Sequence, residues 1–201
     1  MRSEIRIVKI ALPPVDKRVA LRYAFAPHAD EQTSALMDEC ISDISPIVKD
    51  SVLYATYPLK IDGDDLDLGF TRVTSASLSR HLSGCSEVVV MLATAGVGVD
   101  GYVARYQRVR PSRAYLASAV GTERVEALAD AFSAELARML SSSGKKTTSR
   151  FSPGYGDLTL ECQRDIVESL MAYKYAGVTL NESLMLVPVK TVTAFIGVKD
   201  E

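Results

Sequence analysis

The chain has 201 residues, 47% apolar and 24% charged, with a formal net charge of −2. That length can bury one substantial core or two small ones; the composition excludes a disordered chain, and the charge gives no reason to expect nucleic acid. Cys40, Cys85 and Cys162 are odd in number, far apart and without C-x-x-C spacing, which excludes a disulfide framework and gives no zinc signature.

Reduced, buried thiols in a cytoplasmic protein are therefore expected. The longest apolar run, 88–99, is about half of the ~20 residues a membrane span needs, and the first four residues carry no secretory apolar region. Ile5, Ile7 and either Val8 or Ile10 predict a short strand that Leu12-Pro13-Pro14 ends. Residues 16–23 read as a short helix. Residues 33–49 read as a second, with Leu36, Met37, Cys40, Ile41 and Ile44 on one side and Pro46 disturbing its last turn.

Residues 52–61 are β-branched and aromatic and predict a strand, Asp62-Gly63-Asp64-Asp65 a turn, and 66–70 a hairpin partner. Residues 75–82 read as a helix terminated by Ser83-Gly84. Residues 86–94 are almost continuously apolar, as in a strand buried on both faces. A helix over 99–108 is broken by Pro111, and 113–140 is the longest helical pattern, kinked near Gly121. Val125, Leu128, Phe132, Leu136 and Met139 recur at steps of three or four and share a core-facing stripe. Residues 141–149 read as a loop, 160–173 as a helix, and 184–187 and 191–198 as strands around Pro188. Strands and helices do not alternate strictly, so the class is α+β.

Several groups could carry chemistry. Gly96-Val97-Gly98-Val99-Asp100-Gly101 matches G-x-G-x-x-G between a strand and a helix, but no acid follows at the end of a second parallel strand. A tight strand-to-helix turn is the simpler reading. Glu123, Glu126 and Asp130 share a helix face roughly opposite the apolar stripe, either solvated or forming an acidic wall beside a cationic ligand. Arg105, Arg108, Arg110 and Arg113 form a basic cluster, either plain surface charge or a dock for an acidic partner. His28 and His81 are isolated and make no convincing ligand or general base. Within residues 149–157 stand a cation, Arg150, a Pro153-Gly154 turn and Tyr155. Arg150 can hold a carboxylate by two parallel hydrogen bonds, turn N–H groups can cradle an anion, and Tyr155 can lie against a cation. An ordinary surface turn satisfies the same spacing.

Arg150-Phe-Ser-Pro-Gly-Tyr155 and Leu180-Asn-Glu-Ser-Leu-Met-Leu-Val-Pro188 together resemble the C-terminal reactivation domain of cobalamin-dependent methionine synthase. The likeness is greater to the free-standing bacterial proteins built on that domain. It runs over 123–198 with specific motifs and more loosely elsewhere. It implies one α+β domain over 1–201, with a mainly antiparallel sheet flanked by helices.

The family binds S-adenosylmethionine, whose methyl group restores oxidised cobalamin once a flavodoxin-like donor supplies an electron. By that resemblance Arg150 would pair with the methionyl carboxylate, Ser152, Pro153 and Gly154 would line the ligand, and Tyr155 would lie close. Asp130 would meet the ammonium or sugar, and Glu126 and Glu182 would face a corrinoid-bearing methionine synthase module. Asp130 stands where the family has glutamate, Asn181 where it has threonine, and Ile196 where longer members supply a tyrosine. No corrinoid-binding D-x-H-x-x-G is present, so cobalamin would come on a partner protein. The resemblance also leaves open a docking module that no longer binds the sulfonium donor.

Overall fold

The computed structural model describes residues 4–200; residues 1–3 and 201 lie outside them. In chain order the elements are β1 (Arg6–Val8), α1 (Lys17–Tyr23), α2 (Glu31–Ile44), β2 (Ser51–Pro58), β3 (Lys60–Asp62), β4 (Asp65–Asp67), β5 (Arg72–Thr74), α3 (Ala76–His81) and β6 (Glu87–Thr94). There follow α4 (Gly98–Tyr106), α5 (Pro111–Ser141), β7 (Lys145–Thr147), a 3-10 turn at Leu160–Cys162, α6 (Gln163–Ser169), α7 (Ala172–Ala176), β8 (Thr179–Leu180), β9 (Leu186–Val187) and β10 (Thr191–Asp200).

The fold is α+β. Its main sheet runs β1-β2-β6-β10-β7, with each neighbouring pair antiparallel. β6 is central because its run of Val and Leu has no polar face to offer water. Val88, Val90 and Leu92 pack toward Leu78 of α3 and Ile166 of α6, while Val89, Met91 and Ala93 pack toward Leu128, Phe132 and Leu136 of α5. All six strand residues are at most 1% exposed. Removing such side chains from water contributes about 1.5–3 kcal/mol for each large one.

The expected strand over 52–61 divides into β2 and β3, and the latter starts a three-stranded antiparallel sheet with β4 and β5. The expected helix over 113–140 is one helix from Pro111, where the missing N–H is harmless. Gly121 does not end it. A Cβ there would lie 2.7 Å from Val99 and 2.9 Å from Lys190, so the glycine admits α4 close to α5. Met139, at 38% exposed, falls outside the buried stripe.

Two charge readings change. Arg113 leaves the basic cluster: its guanidinium donates to Tyr102 Oη at 2.6 Å, Glu39 at 2.7 Å and Asp43 at 2.6 Å, tying α2, α4 and α5 together. Glu123 leaves the solvated face and is buried; its Oε1 accepts the Asp16 N–H at 3.1 Å. Burial pushes that carboxyl up from its ordinary value.

The glycine fingerprint serves the chain's own backbone. A Cβ on Gly98 would lie 2.3 Å from the Ile47 carbonyl oxygen, and one on Gly96 would lie 3.1 Å from Lys49 Cβ. Asp100, in the first turn of α4, accepts the Val189 N–H at 2.7 Å. Among the described residues, no cluster of acids, histidines or cysteines is arranged to hold a metal, and no helix is long and apolar enough to cross a membrane.

Candidate functional site

After β7 the chain continues along the edge of β10. Thr148 N–H donates to Gly197 O at 2.9 Å, and Phe151 and Phe195 exchange backbone hydrogen bonds at 2.9 and 2.8 Å. Side chains alternate along an extended segment. Phe151 packs into the cluster on the α3/α6 side, so Arg150 faces α5. There its Nη2 donates to Asp130 Oδ1 at 2.7 Å and to Glu126 Oε2 at 3.1 Å. The two acids stand four residues apart on one helix and present one face. Glu126, expected to face a partner protein, therefore turns onto Arg150 beside Asp130.

Pro153 and Gly154 occupy the two central positions of a turn closed by Tyr155 N–H to Ser152 O at 3.2 Å, with Gly154 at φ 90°. The expected anion cradle does not form there. The Gly154 N–H donates to Leu158 O at 2.8 Å, so both turn amides are used inside the loop. Gly154 shapes the bend without lining the adjoining cleft, whereas Ser152, Pro153 and Tyr155 line it. Tyr155 is 62% exposed and meets the Phe151 ring edge-on at 6.2 Å.

Asp157 clamps this loop to the start of α3. Its carboxylate accepts Ser75 Oγ at 2.5 Å, Ala76 N–H at 2.8 Å and Ser77 N–H at 3.1 Å. A Cβ on Gly156 would lie 2.6 Å from Ser77 Oγ, so only glycine allows that approach at its φ of 56°. The Ser75 hydrogen bond first, and then the two backbone donors, hold the Asp157 carboxyl below its ordinary value. A depressed folded-state pKa gives stability that is complete above the unfolded value, about 3.9, and is lost as the pH falls further. Thermal melts should show Asp157→Ala well below wild type at pH 7, with the gap narrowing below about pH 4. An unchanged gap would contradict this clamp.

The cleft beside the loop has a volume of about 540 Å³, within the range of small-molecule sites. Its charged lining is Glu126, Asp130 and Arg150; much of its apolar lining is Leu160, Met185, Leu186, Val187 and Val189. Asn181 bends the last of these segments, its Oδ1 accepting the Ser183 and Met185 N–H groups at 3.0 and 2.9 Å. Glu182 stands exposed in that bend, outside the cleft lining. Ile196 is 1% exposed in the core beneath α5, also outside it.

One contributor to the cleft lining, Gln163, and one residue near it, Tyr23, were not anticipated from sequence. Gln163, 5% exposed, donates from Nε2 to Leu184 O at 3.1 Å and accepts Thr193 Oγ1 at 2.9 Å, tying α6, the 181–185 bend and β10 together. Its only sequence signal was a glutamine at the start of a helical pattern. Tyr23, at the end of α1, lies within the field of the acids: burial first, then Glu126 and Asp130, push its phenol up.

No protein-family model matches the sequence, and no curated protein matches it. Among solved structures the chain is similar to the MetH reactivation domain bound to AdoHcy, with a TM-score of 0.65 and 14% identity. That match covers 98% of this chain and 78% of the other. At that identity the likeness is one of fold: this chain adopts the architecture of a MetH reactivation domain, with the cleft set between α5, the 149–155 segment and β10.

Proposed function

We propose that the chain, acting as one cytoplasmic domain over 1–201, binds S-adenosylmethionine in this cleft. It then presents the methyl group to cobalamin carried by a partner methionine synthase module. The observation that carries this reading is the junction of Arg150, Asp130 and Glu126 with an apolar wall in one cleft. That donor set fits the ligand. A guanidinium suits the amino-acid carboxylate, a carboxylate suits the ammonium or sugar hydroxyls, and Leu160, Met185 and Val187 give a purine an apolar surface. Cobalamin would supply the methyl-accepting metal, reduced by an electron from a flavodoxin-like donor. This chain's residues would supply placement and charge complementarity.

Titration calorimetry with S-adenosylmethionine tests the proposal. Saturable binding at micromolar to submillimolar ligand supports it, and absence of heat at millimolar ligand sinks it. One observation favours a second reading, a docking module without a small ligand: Arg150 is already bonded to two carboxylates within the chain. A ligand must displace them. Absent heat, together with capture of a corrinoid module, would select that reading.

A further inference from the structure

The cleft carries more negative than positive charge. Among the described residues that line it, the charged side chains are the carboxylates of Glu126 and Asp130 and the guanidinium of Arg150. Both acids now share one nitrogen of Arg150. A ligand with a carboxylate alone would compete for that guanidinium and leave both acids without a cation. A zwitterionic amino acid would return one ammonium, matching one acid, and would leave the other unmatched. Only a ligand with a second positive centre completes the set.

Resting on the function proposed above, we infer that Glu126 is a specificity determinant that selects a charged sulfonium ligand over its neutral thioether counterpart. Arg150 takes the amino-acid carboxylate, Asp130 the ammonium, and Glu126 is left to face the remaining positive centre. Glu126 suits that role better than Asp130 because its side chain is 34% exposed against 74%, so its field is less screened by water. The neutral product-like thioether would leave Glu126, half-buried in the cleft, with neither Arg150 nor a ligand cation. Selectivity of this kind works by penalising the wrong ligand as much as by attracting the right one.

The experiment compares three ligands by calorimetry at low ionic strength: S-adenosylmethionine, S-adenosylhomocysteine and sinefungin, whose amine places a positive charge near the sulfonium position without a transferable methyl. The expected result is that the two cationic ligands bind on the order of tenfold tighter than the thioether. In Glu126→Gln, which removes the charge at nearly constant shape, the ratio should shrink to within about threefold, while thioether affinity stays level or rises. Circular dichroism melting confirms that the variant is folded.

Equal affinity of the three ligands for the wild-type chain overturns the inference and leaves the proposed function standing. So does an undiminished ratio in Glu126→Gln; a ratio that collapses only in Tyr155→Leu would assign the charge recognition to the aromatic ring instead. Binding of none of the three overturns the proposed function, and this inference with it.

Discussion

Replacing Arg150 by alanine is expected to weaken S-adenosylmethionine binding at least about 100-fold, equivalent to roughly 2.7 kcal/mol, while the melting temperature moves by only a few degrees. The first expectation follows from geometry. The guanidinium is the cation among the described cleft-lining residues, and paired hydrogen bonds to a carboxylate are among the stronger polar contacts. The second follows from exposure. Its partners Glu126 and Asp130 have side chains 34% and 74% exposed, so water can solvate them when the arginine is gone. Pairs this open to solvent are worth about 1 kcal/mol or less. Lysine at this position should rescue little, since it keeps the charge but loses the planar fork. A fall of more than about 10 °C on alanine substitution would make Arg150 a structural residue.

The largest stability loss is expected on Gly98→Ala. The added methyl would lie 2.3 Å from a backbone oxygen, that of Ile47, and backbone cannot swing aside as a long side chain can. Overpacking against a fixed atom costs about 3 kcal/mol or more, which for a chain of this size lowers the melting temperature by roughly 6–12 °C. Gly101 provides the internal control: a Cβ there meets nothing within 4 Å. Gly101→Ala, in the body of α4, should leave stability unchanged or raise it by up to about 1 kcal/mol. If the two variants melted together at the wild-type temperature, the close approach of α4 to the 47–49 segment would be refuted.

These two positions also show what could be read from sequence. The central strand and long helix were legible because burial leaves a periodic trace: 86–94 has no polar face, and Val125 to Leu136 recur at helical steps. β5, β7 and β8 left no such trace. Lys145–Thr147 and Arg72–Thr74 are short, polar edge segments that become strands only because a neighbour offers hydrogen bonds. The helix expected over 160–173 breaks at Met171, which takes φ 47° without any glycine or proline to announce it.

The same division runs through the site. The Pro153-Gly154 turn was visible because its residues fix their own backbone angles. That its amides point inward was not visible, since their acceptors lie in the fold of the loop. Arg113 and Glu123 looked like surface charge because their charged and backbone partners, Glu39, Asp43 and Asp16, lie 70 to 107 residues away in the sequence. The spacing of Glu126 and Asp130 placed them together; only the strand edge beside β10 brings Arg150 to them.

A crystal structure grown with S-adenosylmethionine tests the central claim most directly. The account predicts density for the ligand between α5 and the 149–155 segment, its carboxylate on the Arg150 guanidinium, and Asp130 and Glu126 turned from the arginine to the ligand's positive centres. An empty cleft, or Arg150 still bonded to both acids with the ligand elsewhere, would contradict it.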